Sequence, residues 1–130
     1  MKDFFTARAY FLGWSLIRRM PQRLADRLFN AIANRMYARD GKSVQRLRTN
    51  LARVTPHLSP QELDELVSRG LFSYMRYWKE TFRSPDWTRE RILSTVTVSN
   101  EHLLMDPITE GRAVVVALPH AGNWDHAGSY

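Results

Sequence analysis

His120 and Asp125 stand five positions apart in the run Leu118-Pro119-His120-Ala121-Gly122-Asn123-Trp124-Asp125. A hydroxyl is a weak nucleophile at neutral pH and needs a base within hydrogen-bond reach. Imidazole suits that task because its unperturbed pKa is about 6.5. A carboxylate on the other ring nitrogen fixes the tautomer and stabilises the imidazolium that forms. This spacing cannot align the two side chains on one helical face, where neighbours stand three or four apart. They can meet if the chain turns between them, and Gly122 and Asn123 both tolerate the positive φ of such a turn. The same spacing is common by chance, so taken alone it leaves an ordinary surface turn open. The apolar run before it and the Pro and Gly around it weigh towards a general base, His120, and an orienting carboxylate, Asp125.

The elements that would position this pair come from the pattern on either side. Ala113-Val114-Val115-Val116-Ala117-Leu118 is apolar on both faces, which predicts a buried strand from Arg112 to Leu118. Pro119 ends it, since proline cannot donate to a ladder. Trp124 to Tyr130 reads as the start of a helix whose free N–H groups would favour a developing oxyanion. Upstream, Val96 and Val98 alternate between Ser94 and Ser99 and predict a first strand. Short helices are expected from Thr88 to Leu93 and from Glu101 to Thr109, the second ended or interrupted near Pro107. Strand, helix, strand, loop, helix is the opening of an α/β sandwich.

The preceding residues read as helices. Asp3 to Arg19 is rich in aromatic residues and closes on Arg18 and Arg19, a pattern suited either to a membrane interface or to a core. Pro21 opens a second helix to about Arg39, on which Leu24, Leu28, Ile32 and Met36, with Ala25, Phe29 and Ala33 beside them, predict the buried face. Asp40-Gly41 is a stop signal. A third helix runs from Lys42 to Val54. Ser59-Pro60-Gln61-Glu62 is a capping box that opens a long fourth helix towards Phe82. Tyr74, Tyr77, Trp78 and Phe82 on it suit core packing first and the lining of an acyl channel second.

Composition narrows the functional classes. Residues 1–60 hold 12 Lys/Arg against 3 Asp/Glu, whereas residues 61–130 hold 7 against 10. A basic amino-terminal half points to an anionic surface as partner, and lipid headgroups and nucleic acid both qualify. The aromatic residues lie on apolar faces and do not interleave with Lys/Arg as a stacking platform requires, which argues against nucleic acid. There is no cysteine, which excludes disulfides, thiol catalysis and Cys-type zinc sites. The stretch from Phe4 to Ile17 is 14 residues long, contains Arg8, and falls short of the roughly 20 apolar residues of a spanning helix.

Four stretches together resemble a known family. They are Val114 to Gly128, Ala9 to Ser15 with Arg18, Arg19 and Pro21, Leu47 to Val54, and Ser73 to Arg83. They are similar to the bacterial glycolipid and lysophospholipid acyltransferases, and within them to the actinobacterial branch that acylates phosphatidylinositol mannosides. The resemblance runs over essentially the whole chain. It implies a glycerolipid-acyltransferase type of α/β sandwich, with residues 1–87 a helical, membrane-associating region and residues 88–130 the beginning of the core. Family members are longer, so it also implies that the rest of the donor-binding pocket and most acceptor contacts lie downstream of Tyr130. The implied reaction moves a long-chain acyl group from acyl-CoA, a co-substrate, to a mannose hydroxyl, with no cofactor and no metal. His120 would be the base and Asp125 its partner, and Asn123, Trp124 and His126 would contact substrate. Implied partners are acyl-CoA, a glycolipid acceptor and an anionic membrane surface. The implied location is peripheral, on the cytoplasmic face of the inner membrane. Two alternatives remain at this level: a lipid A-type or lysophospholipid acceptor, and a non-catalytic basic membrane-binding role.

Overall fold

A computed structural model describes residues 2–117 and 122–130. It divides into two compact units, Met1–Pro85 and Asp86–Tyr130. The first unit holds four helices: α1 (Lys2–Arg19), α2 (Gln22–Arg39), α3 (Lys42–Val54) and α4 (Pro60–Arg83). Their ends follow local chemistry. Asp40 takes the left-handed conformation (φ 41°) that ends α2, which aspartate tolerates better than most residues. The capping box at α4 is formed: Ser59 N–H donates to Glu62 Oε2 at 2.7 Å, and Glu62 N–H donates to Ser59 Oγ at 3.3 Å.

The helix α4 is the element on which the others pack. Val67, Leu71, Met75 and Lys79, three or four residues apart, are buried along one stripe of it. Against that stripe α2 sets Ala25, Phe29 and Ala33. Of the expected buried face of α2, Ala25, Phe29 and Ala33 are buried and Met36 packs beside them, whereas Leu24 is 50% exposed, Leu28 40% and Ile32 38%. Two alanines on one stripe let the helix backbones approach closely, and Phe29 fills the space between them. Phe29, Ala33 and Met75 form one cluster, joined by Ile17, Met36, Phe72, Trp78 and Phe82. Trp78 and Phe82 therefore serve core packing. Val44, Val67 and Leu71 form a second cluster with α3, where Gly70 admits Leu47, since a Cβ at that position would stand 3.3 Å from Leu47 Cδ2.

Polar bonds lock these packings. Lys79 Nζ donates to Asp26 Oδ1 at 2.5 Å across α4 and α2. Asp64 on α4 accepts from Arg48 Nη1 of α3 at 2.6 Å and from the Tyr37 hydroxyl of α2. Helix α1 is fastened at its end. Trp14 Nε1 donates to the Phe82 carbonyl at 2.9 Å, and Arg83 Nη1 reaches the carbonyls of Ile17 and Met20 at 3.0 and 2.6 Å. A cation at those last carbonyls also complements the helix dipole.

The second unit corrects the expected fold class. It holds α5 (Arg89–Thr95), α6 (His102–Thr109) and α7 (Trp124–Ala127), and no strand forms among the described residues. The expected α/β sandwich is therefore not what this chain builds. Ser94 and Thr95, expected to open a strand, close α5 instead: the Ser94 and Thr95 hydroxyls donate to the Arg91 carbonyl at 3.0 and 2.7 Å, drawing the backbone into the helix. Residues 112–117 carry the apolar run but lie outside any regular element, with Val115 96% exposed. β-propensity describes a fit to a pleated surface, and it yields a strand only where a neighbouring chain completes the ladder.

Two predictions follow from the helical packing. Leu71→Ala should cost about 2–5 kcal/mol in urea denaturation, and Leu24→Ala about 0.5 kcal/mol; equal costs would place Leu24 on the buried face of α2, where the sequence pattern had it. The bonds from Lys79 and from Tyr37 and Arg48 hold the Asp26 and Asp64 carboxyls, respectively, below their ordinary range. Their stabilisation is complete above about pH 4 and is lost as pH falls through the lowered folded-state values. Asp26→Asn and Asp64→Asn should each lower the thermal midpoint at neutral pH and shrink its further fall under acid.

Candidate active site

Residues 118–121, and with them the expected base His120, lie outside the described residues. At Gly122, φ is +63°, a left-handed backbone that a side chain would strain. Asn123 then caps α7, its Oδ1 accepting from the His126 N–H at 3.1 Å. Gly122 thus takes the positive φ expected of it, whereas Asn123 does not: its φ is −108° and it acts instead as the helix cap. Asp125, the expected orienting carboxylate, sits half-buried in the first turn of that helix, and its backbone carbonyl accepts from the Ser129 hydroxyl at 2.8 Å. Trp124 is 37% exposed. The expected set of free N–H groups for an oxyanion is curtailed, because α7 is a single turn and its His126 N–H is already given to Asn123.

His126 is held by groups that the sequence did not mark as its partners. Its ring stands edge-on to Trp87, with centroids 4.6 Å apart, and its Nε2 lies 2.9 Å from Thr95 Oγ1. Arg91 in turn lies over the Trp87 ring at 4.5 Å. Thr95 has one hydroxyl proton, which the helix carbonyl of Arg91 takes at 2.7 Å. The hydroxyl oxygen then accepts from Nε2–H, which leaves Nδ1 as a bare lone pair. That atom is buried and has no hydrogen-bond partner among the described residues. His126 thus ties α7 to α5 across 31 positions of sequence, and no local pattern announces such a pairing. Among the described residues no group of three or more His, Cys, Asp or Glu is placed to hold a metal ion.

The bacterial lipid A biosynthesis acyltransferase family model matches residues 2–130, a span that includes both His120 and Asp125. The chain belongs to this acyltransferase family. It is similar to the phosphatidylinositol mannoside acyltransferase of Mycolicibacterium smegmatis, at 42% identity over 123 residues, which is 95% of this chain and 40% of that protein. It is also similar to the enzyme of the same name from Mycobacterium tuberculosis, at 38% identity over 125 residues, or 94% and 39% of the two chains. The chain thus spans about two fifths of the length of these curated relatives. No solved structure matches it at a significant level.

For this member of the acyltransferase family, the bonding around His126 makes a spectroscopic prediction. Long-range ¹H–¹⁵N correlation spectra of the neutral ring should show the proton on Nε2. Thr95→Val should remove that preference and cost about 1 kcal/mol of stability; an Nδ1–H ring in the unmodified chain would contradict the assignment.

Proposed function

We propose that the protein transfers a long-chain acyl group from acyl-CoA to a mannose hydroxyl of a phosphatidylinositol mannoside. The observation that carries this reading is the 42% identity, over 95% of the chain, to a relative bearing that name. In the proposed reaction the acceptor oxygen attacks the thioester carbonyl carbon, and its proton passes to the His120 imidazole. Asp125 orients that ring and balances its charge. The tetrahedral intermediate collapses, the C–S bond breaks, and coenzyme A leaves as a thiol after taking the proton back from His120. No acyl-enzyme forms, and no metal or cofactor is required.

The reaction is proposed to run on the cytoplasmic face of the inner membrane, with the protein bound peripherally. No helix among the described residues is long and apolar enough to cross a membrane. What supports surface binding is α1, where Phe11, Leu12 and Leu16 are 67%, 71% and 65% exposed and Arg18 and Arg19 close the helix. Apolar side chains that enter the acyl boundary beside arginines at headgroup level suit an anionic leaflet. A lipid A-type acceptor is the second reading, favoured by the description of the matching family.

The deciding assay follows labelled palmitate from palmitoyl-CoA into lipid acceptors, using the complete protein. His120→Ala should lower transfer by about 10²–10⁴-fold, and Asp125→Asn should lower it as well. Transfer that survives His120→Ala rejects the base assignment, and a product formed on lipid A precursors alone rejects the mannoside acceptor. Replacing Phe11, Leu12 and Leu16 by serine should release the protein from anionic vesicles in sedimentation. Unchanged sedimentation would reject α1 as the attachment surface.

A further inference from the structure

A cleft of about 350 Å³ opens between α2 and α4 on the first unit. That volume lies at the small end of the range of organic-ligand pockets and exceeds what a bare inorganic anion fills. Its lining includes the Lys79–Asp26 pair, in which Lys79 is 9% exposed. Because that pair is internally neutral, the charge of the cleft comes from Arg69 and Arg76 on α4. These two arginines, both exposed, stand seven residues, or two turns, apart along the cleft's lining. Among the described residues neither has a side-chain hydrogen bond or ion pair to another residue. Between and opposite them lie two neutral hydrogen-bonding groups, Ser73 and Asn30, and the rings of Phe29 and Phe72 supply an apolar wall.

We propose that this cleft binds a phosphate ester, with the phosphoryl oxygens taken by Arg69 and Arg76 and the hydroxyls of the esterified alcohol by Asn30 and Ser73. Guanidinium groups match phosphate oxygens in a fork geometry, and charge-assisted bonds of this kind are the strong ones. The amide and hydroxyl suit a polyol, and the aromatic wall suits its C–H face or the glyceryl end of a lipid headgroup. The cleft needs neither His120 nor acyl transfer, so the proposal stands apart from the reaction assigned above. Its two arginines lie outside the strongly basic first 60 positions, so their charge is not part of that half's general attraction for anions.

The test uses the full 130-residue chain and three probes: inorganic phosphate, glycerol 3-phosphate, and phosphatidylglycerol vesicles set against phosphatidylcholine vesicles. Binding is followed by titration, and the soluble probes also by backbone amide shifts. Arg69→Gln with Arg76→Gln should weaken binding about 10-fold or more. Arg46→Gln with Arg53→Gln removes the same charge from exposed sites on α3 and should change it less than about 3-fold. Saturable binding of glycerol 3-phosphate, with shifts confined to the cleft residues of α2 and α4, supports the proposal with a soluble ester as ligand. Binding to phosphatidylglycerol vesicles alone, lost in the cleft variant and kept in the α3 variant, supports it with a lipid headgroup as ligand. Equal losses in the two variants, shifts that map elsewhere, or saturable binding of no probe would overturn it. The shift mapping needs no variant, so it stands whether or not the cleft substitutions perturb folding.

Discussion

The close approach of α2 to α4 is the constraint on which the helical unit depends. It requires small side chains at Ala25 and Ala33 and a continuous apolar stripe on α4. At the end of that stripe the apolar pattern gives way to Lys79, a buried cation that needs an opposite charge to be tolerated there. Asp26 supplies it from the facing helix. The lysine stem extends the core while its ammonium group fixes the relative rotation of the two helices, so one residue contributes both packing and register.

Once α2 and α4 are fixed, the other helices have little freedom. Asp64 receives bonds from both Tyr37 and Arg48, which joins α2, α3 and α4 at one carboxylate. The described apolar and aromatic residues of α1 divide between two duties. Trp14 turns inward, with its ring 5.5 Å from Phe82 and its N–H on the Phe82 carbonyl. Phe11, Leu12 and Leu16 are left outward, and a helix docked along one stripe with apolar residues on another suits attachment to lipid. The rotation of α2 that buries its alanines likewise leaves Leu24, Leu28 and Ile32 partly outside. Exposed apolar area on this unit thus follows from how its core is packed.

The segment from Gly122 to Ala127 is built differently. Its turn is written into single residues: a glycine for the left-handed position and an asparagine for the cap of α7. His126 is then fixed by Thr95 and Trp87, which makes α7 depend on α5 for its position. Asp125, the carboxylate of the proposed pair, lies in that same short helix.

What the sequence determined alone was set by short-range chemistry. The capping box at Ser59, the stop at Asp40 and the turn at Gly122 and Asn123 act within a few residues, so they were legible without any partner. The family was legible too, because its motifs lie along the whole chain. Tertiary structure decided the rest. Leu24 and Ala25 stand on adjacent stripes of the same amphipathic helix, and only the shape of α4 chooses between them. The valines at 114–116 have strand character, but a strand is a relation between two chains and forms where a ladder partner is present. The sharing of Thr95 with His126 and the cleft lined by Arg69 and Arg76 arise only when distant residues are brought together. They are properties of packing, and no local spacing encodes them.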